Sequence, residues 1–233
     1  MRRGCRLLAA LALLAAGCAQ VPPAPPPEAK PAGAPDLDAA YYRGAAERGA
    51  KVYRIEPGDS LVVVRVYRAG SLARLGHDHV VSSREPRGFV DADNGRCDLY
   101  FAVERLVVDD RAQRAAAGLG DTPSESDIAG TRSNMLEKVL EAERFPFVVL
   151  RVRSVGEGAL QAELSLHGVT RPLRVPAKID PGPERLEVRG DFALNQSDFG
   201  IAPFSVLGGA LAVQDRVDLS FEIHATRITG ASF

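Results

Sequence analysis

Two histidines separated by one residue, His77 and His79, are the side chains in this sequence best suited to chemistry. On a β-strand, residues two apart share a face, so both imidazoles could point one way while Asp78 points the other. Such a pair could bind a metal ion or the polar head group of a ligand. A zinc site needs three or four ligands, and the other histidines, His167 and His224, form no matching pair. A purely structural role, with one imidazole ordering a turn and the other at the surface, stays open beside these two.

Other catalytic arrangements have little support in the sequence. A serine hydrolase of the nucleophile-elbow type needs a Gly-x-Ser-x-Gly motif, which the chain does not contain. Cys97 falls among alternating apolar residues, so we expect it to pack as a small hydrophobic side chain. We therefore expect a binding protein rather than an enzyme, with no cofactor and no metal site.

Apolar side chains are the candidates for holding a ligand. Six phenylalanines could line a tunnel, although each could equally belong to a packed core: Phe101, Phe147, Phe192, Phe199, Phe204 and Phe221. The segment 203–210, with Gly208 and Gly209, could be a flexible mouth or a plain connection.

Strands with alternating hydrophobicity would have to position these residues. The clearest unit spans residues 159–179, where two alternating runs flank a predicted turn at 167–172 containing Gly168. This pattern predicts an antiparallel hairpin with one apolar face. Pro176 cannot donate a backbone hydrogen bond, so the second strand should be an edge strand or locally bulged.

The rest of the chain repeats this pattern with one interruption. Candidate strands lie at residues 61–67, 88–90, 97–103, 147–155, 186–194 and 216–226. Between residues 122 and 144 the spacing becomes helical, and Phe145-Pro146 ends that segment. About eight strands with one short helical insertion predict an all-β protein, an antiparallel eight-stranded barrel or a sandwich, and exclude a doubly wound parallel sheet. A barrel of this size can fill with its own side chains or hold one small ligand.

Composition narrows the class of partner. The 233 residues carry a formal net charge of -1 and no tryptophan, which gives no electrostatic or stacking reason to expect nucleic acid. Two of the three cysteines, Cys5 and Cys18, lie near the N-terminus, so a disulfide framework is not expected.

The N-terminus predicts export. Three arginines precede the apolar run 7–16, which is typical of a signal peptide over residues 1–17 and too short to span a bilayer. The segment from Leu14 to Cys18 resembles a bacterial lipobox, with Cys18 as the acylated residue; an ordinary signal with an incidental cysteine is the alternative. Ala19, rather than aspartate, favours an outer-membrane lipoprotein facing the periplasm. Residues 18–50 then read as a proline- and alanine-rich tether with a possible short helix near 37–48 capped by Asp36, and residues 51–233 as the folded domain.

Four segments in order resemble one family. Leu-Ser-Leu-His-Gly-Val-Thr-Arg-Pro at 164–172 resembles the central signature of YceI-like polyisoprenoid-binding proteins. Segments 52–62, 144–148 and 197–201 resemble further family motifs, whereas the Gly-His-Asp-His element at 76–79 is similar to that of a sub-branch. The resemblance implies a lipocalin-like antiparallel barrel whose apolar tunnel holds an isoprenoid or other amphiphilic lipid. It also implies export, so that the membrane would be a second partner, through the N-terminal lipid anchor.

Overall fold

The computed structural model describes residues 33–120, 122–156 and 158–229. From Ala34 onward the chain forms one compact unit. The predicted signal peptide, Cys18 and the tether up to residue 32 lie outside the described residues, as do residues 230–233.

Within the described ranges the chain forms thirteen strands and three α-helices. The strands are β1 (Val52–Ile55), β2 (Leu61–Ala69), β3 (His79–Ser83), β4 (Arg87–Asp91), β5 (Arg96–Ala102), β6 (Val107–Val108), β7 (Phe147–Gly156), β8 (Ala159–Leu166), β9 (Val169–Pro176), β10 (Lys178–Pro181), β11 (Arg185–Asn195), β12 (Ser205–Val206) and β13 (Leu211–Arg227). The helices are α1 (Ala39–Glu47), α2 (Arg111–Ala116) and α3 (Glu125–Asn134), and α3 continues into a π-helical turn, Met135–Val139. No helix in these ranges combines the length and hydrophobicity that crossing a bilayer requires.

One antiparallel sheet contains all the strands. Its hydrogen-bonded order is β6-β3-β2-β13-β1-β4-β5-β7-β8-β9, while β11 and β12 also pair with β13 and β10 pairs with β11. The long strand β13 organises the sheet, because β1 and β2 share one of its edges and β11 lies along the other. The prediction of an antiparallel, mostly β fold with few helices is confirmed.

Closure into an eight-stranded barrel is not confirmed. The sheet has thirteen strands, and its hydrogen-bonded path is open at β9. Strand β9 lies close to β11. A Cβ on Gly190 of β11 would be only 2.2 Å from the carbonyl oxygen of Pro176, the last residue of β9. No ladder joins β9 to β11 among the described residues, and β9 carries Pro172 and Pro176, whose nitrogens cannot donate. The expectation that Pro176 marks an edge strand is confirmed.

The β8–β9 hairpin has a tighter turn than predicted. His167 and Gly168 form a two-residue connection with φ of 51° and 75°, and β9 begins at Val169. The predicted turn over 167–172 was therefore too long. Two consecutive positive φ angles match the right-handed twist of paired strands, which lets the ladder continue up to the turn.

Helix α1 covers part of the outer face of the sheet. It begins after Asp38, which occupies the N-cap position in a left-handed conformation without a side-chain capping bond, whereas Asp36 accepts a hydrogen bond from the Asp38 amide. Asp36 was thus the wrong capping residue. Tyr42 is fully buried and packs with Val52 and Ile228, so the helix is part of the domain's packing.

Candidate ligand-binding cavity

The inner face of the curved sheet encloses an apolar cavity of about 490 Å³. This volume lies within the range of small-molecule binding sites in proteins. Its wall comes mainly from aliphatic side chains on alternate positions of the strands. The main wall residues on β2, β5, β7, β8, β11 and β13 are Val62, Val64, Val66, Cys97, Leu99, Phe101, Val148, Leu150, Val152, Leu160, Leu164, Leu166, Leu186, Val188, Phe192, Leu194, Val217, Leu219, Phe221 and Ile223.

Four of the six predicted phenylalanines line this cavity. They are Phe101, Phe192, Phe204 and Phe221. Phe192 and Phe221 meet edge to face, with ring centroids 6.4 Å apart. Phe147 instead packs against Tyr100 beside Leu37, and Phe199 is buried in the core without lining the cavity.

Polar residues on the cavity wall gather at its two ends. We call one the helical end, where His79, Thr131, Asn134 and Gln196 contribute to the wall together with the π-helical turn. The other, the turn end, is formed by residues at or next to the ends of strands: Asp91, Gly95, Arg96, Val155 and Pro181. The middle is almost entirely aliphatic and aromatic, so the cavity suits a long apolar group with polarity at an end.

A buried ion pair fixes the imidazole at the helical end. The Nδ1 atom of His79 lies 2.6 Å from Oδ2 of Asp109, and Nη1 of Arg114 lies 2.6 Å from Oδ1. Because an ionised carboxylate only accepts hydrogen bonds, Nδ1 of His79 is the donor. Asp109 and Arg114 are each 2% exposed, so the imidazole is held by a desolvated pair.

The environment of Asp109 favours its ionised form. Burial alone would raise the pKa of this carboxyl, but hydrogen bonds from His79, the Val80 amide and Arg114 outweigh burial and lower the pKa below its usual value. Asp109 also has a positive φ of 54°, which is uncommon for a residue other than glycine. This conformation is held by the ring of hydrogen bonds around the side chain.

His77 and His79 do not lie on one strand. Strand β3 begins at His79, which lines the cavity, whereas His77 precedes the strand and lies off the cavity wall, with the two ring centroids 6.4 Å apart. In the described part of the chain, no group of three potential metal ligands includes either histidine. The group that does occur there, Glu187, Glu222 and His224, lies around the guanidinium of Arg189, which already pairs with both carboxylates.

A second polar network lies behind the turn end. The buried carboxylate of Asp98 accepts hydrogen bonds from Tyr42 at 2.7 Å and from Arg96 at 2.9 Å. Arg153 lies 3.3 Å from its other oxygen. Asp91 accepts a hydrogen bond from Tyr41 at 2.9 Å. These contacts attach α1 to β4 and β5.

Cys97 faces the cavity and has an unreactive thiol. Burial, and then the negative charge of Asp98, raise the pKa of this thiol to about 12. Thiolate is the nucleophilic form, so Cys97 is suited to packing rather than to catalysis.

The residues that sequence patterns did not reveal are Asp98, Asp109 and Arg114. Asp98 occupies a position that alternation assigns to the polar face of β5, and nothing in the pattern shows that α1 buries it. Asp109 and Arg114 are five residues apart and meet because the backbone turns at Asp109 before α2 begins. Neither the burial of Asp98 nor the pairing of Asp109 with Arg114 can be recognised without the three-dimensional structure.

Comparison with known proteins identifies the fold. The sequence model of one family, the YceI-like domain, matches residues 109–225. A polyisoprenoid binding domain from Saccharophagus degradans implicated in plant cell wall breakdown superposes with a TM-score of 0.54 at 12% identity, covering 76% of this chain and 98% of its own. BcnA from Burkholderia cenocepacia superposes with a TM-score of 0.53 at 14% identity, covering 74% of this chain and 99% of its own. Comparison with curated proteins gives no match.

Proposed function

The chain belongs to the YceI-like family, and from this and the cavity we propose that it is a binding protein that shields a polyisoprenoid or similar amphiphile from water. The observation that carries the proposal is the cavity itself, whose volume of about 490 Å³ is bounded by apolar side chains from most of the sheet. The polyisoprenoid binding domain from Saccharophagus degradans, which shares the fold, supports the ligand class. The function that we propose is binding, without a catalysed reaction.

Burial of a hydrocarbon tail can supply most of the affinity. At about 0.3 kcal/mol per heavy atom, a twenty-carbon isoprenoid gains roughly 6 kcal/mol. Micromolar binding requires about 8 kcal/mol. A longer tail, or a few polar contacts at one end of the cavity, closes that difference without a cofactor.

We assign the head-group contact to the helical end, and within it to His79. Asp109 occupies Nδ1 of this ring, so Nε2 is the nitrogen left to face a ligand. Phe204 lines the same end, and Phe101, Phe192 and Phe221 contact the tail in this proposal. The proposal does not use His77, Phe147 or Phe199, which lie off the cavity wall.

The site of action is part of the same proposal. We propose that residues 1–17 direct export, that Cys18 carries the lipid, and that the protein faces the periplasm from the outer membrane. The lipobox-like segment and Ala19 support this. Labelling with a radioactive or clickable fatty acid, compared between the wild type and Cys18→Ser, tests it; equal labelling would remove the anchor from the proposal.

Blocking the cavity tests ligand binding. Leu164→Trp places a large side chain in the wall, whereas Gln161→Trp adds the same group at an exposed position of β8. Native mass spectrometry and lipid extraction should recover an amphiphile from the wild type and from Gln161→Trp, and little from Leu164→Trp. Overpacking costs about 1–3 kcal/mol, so thermal unfolding should confirm that both variants fold. Recovery of no amphiphile from the wild type would favour a ligand-free structural domain of the envelope.

Cys97 gives an independent readout of occupancy. At pH 8 its raised pKa leaves far less thiolate than an ordinary cysteine has, so alkylation should be slow. Extracting the amphiphile should speed alkylation of Cys97, mapped by peptide mass spectrometry, and adding it back should slow the reaction again. An unchanged rate would place the ligand elsewhere.

A further inference from the structure

Exposed large hydrophobic side chains concentrate at the helical end. Five of them stand out in the described residues: Leu75 (66% exposed), Val107 (49%), Val155 (45%), Val206 (38%) and Leu207 (72%). Val155 lies at the turn end, and the other four lie at the helical end. A concentration of this kind marks an interaction surface rather than chance exposure.

Most of this surface is formed by two loops, residues 69–76 and residues 201–210. We call these two loops together the mouth patch. The loops touch, because the Leu72 amide donates to the Ala210 carbonyl at 2.8 Å. Gly70, with φ of 89°, allows this contact, since a Cβ there would lie 2.4 Å from the same carbonyl oxygen. The mouth patch is therefore one continuous surface.

The mouth patch is depleted of charge. A quarter of the residues in the chain are charged, yet the two loops together contain a single charged residue, Arg74. Arg74 is exposed next to Leu75. An arginine can keep its head in a polar layer while its stem and the neighbouring leucine enter an apolar one.

Leu207 is the most exposed of these residues and has an unusual backbone. Its φ is 53°, and Gly208 and Gly209 follow with φ of 65° and 91°. A left-handed leucine has a conformational cost, and here that conformation presents an apolar side chain to solvent. The observation suggests that Leu207 has a partner outside the chain.

The mouth patch adjoins the helical end of the cavity and lies near the start of the described chain. Ile201 and Phe204 belong to the mouth patch and also line the cavity. Ala34, near the start of the described residues, packs near Phe147 at the first residue of β7, beside the helical end. Charged side chains are exposed around both ends, Asp93, Asp180 and Glu184 at the turn end and Glu125, Asp127 and Glu137 on the helical segment, so the charge-poor surface is confined to the two loops.

We propose that the mouth patch docks on a lipid bilayer, with Leu75 and Leu207 inserted among the acyl chains and Arg74 at the level of anionic head groups. Protruding loop tips with a flanking cation fit a soft bilayer, into which each can sink independently. Docking puts the helical end of the cavity at the lipid surface. This contact is separate from the proposed acylation of Cys18 and does not depend on which amphiphile the cavity holds.

Single tryptophans test the orientation directly, because the chain has none of its own. Leu75→Trp and Leu207→Trp report on the mouth patch, and Glu184→Trp, at an exposed position of the turn end off the cavity wall, is the control. With full-length protein and vesicles of phosphatidylethanolamine and phosphatidylglycerol, we expect emission from the first two to shift to shorter wavelength and to be quenched by brominated acyl chains. Emission from Glu184→Trp should not change.

Three outcomes would overturn the proposal. One is no response from any tryptophan; another is an equal response from Glu184→Trp, which would mean that the N-terminal segment alone holds the protein at the vesicle. The third is a concentration-dependent shift without vesicles, which would assign the patch to a second copy of the chain. Adding Leu75→Asp to Leu207→Trp should reverse most of the shift, since one buried leucine changes partitioning about tenfold or more. Gln161→Asp, at an exposed position of β8, should leave the shift unchanged in the same background.

Discussion

Asp98 and Asp109 are both buried carboxylates paired with arginine, yet their surroundings differ. They are 1% and 2% exposed. The cations around Asp98 reach water, since the side chains of Arg96, Arg151 and Arg153 are 24%, 34% and 45% exposed. The single arginine on Asp109, Arg114, is 2% exposed. What remains after a carboxylate is removed therefore differs: arginines that reach water in one case, a guanidinium that stays desolvated in the other.

The largest effect should come from Asp109→Ala. Removing one partner of a buried ion pair typically costs about 3–5 kcal/mol, because the other charge stays desolvated. We expect a loss of this size in the free energy of unfolding, measured by urea denaturation. The double variant Asp109→Asn with Arg114→Met should recover most of it, because both charges are then gone while asparagine tolerates the positive φ and keeps an acceptor oxygen for the Val80 amide. A single variant within about 1 kcal/mol of the wild type would contradict the assignment of a desolvated pair.

Asp98→Ala should cost less. Its arginines can turn to water, so the loss is that of charge-assisted hydrogen bonds, about 2 kcal/mol. The loss should be local as well, with faster hydrogen exchange of the amides in α1, which Tyr42 attaches to Asp98. An equal loss in the free energy of unfolding for Asp98→Ala and Asp109→Ala would show that the exposure of the partner arginines does not determine how much stability is lost.

Acid should reveal Asp109 through its lowered pKa. A carboxyl whose pKa is lower in the folded state stabilises the fold above its unfolded pKa, near 3.8, and this contribution is lost as the pH falls toward the folded value. Urea denaturation between pH 6 and pH 3 should show a steeper loss for the wild type than for the Asp109→Asn, Arg114→Met variant. Other carboxyls with lowered pKa values, such as Glu222 and Asp215, are present in both proteins and cancel. Parallel curves would contradict the lowered pKa of Asp109.

Alternating hydrophobicity predicted the cavity wall well. Val62, Val64 and Val66 share one face of β2, and all three line the cavity as that face requires. The period of a strand depends only on the pleat, so it is legible from local sequence. It does not show where sheet edges meet, which is why the predicted closure was not confirmed. Strands of two residues, such as β6 and β12, have no period to detect, which accounts for part of the difference between eight and thirteen.

The histidines show the other limit. Placing His77 and His79 on one face assumed a strand through both, but the strand starts at His79. The partners that orient His79 come from another segment, where a left-handed Asp109 redirects the chain into α2. Neither the strand boundary nor this turn has a pattern in the sequence. The fold brings His79 and four of the six phenylalanines to the cavity wall, an arrangement that the sequence pattern did not define.

The smallest effect should come from Tyr42→Phe, which isolates one bond of the Asp98 network. The variant keeps the buried ring and removes only the hydroxyl that donates to Asp98 at 2.7 Å, so we expect a loss of about 1 kcal/mol. In the Asp98→Ala background the same change should cost almost nothing, because its acceptor has already gone. A double-mutant cycle by urea denaturation measures this coupling, and a coupling near zero would mean that burial of the Tyr42 ring, rather than its bond to Asp98, attaches α1 to the sheet.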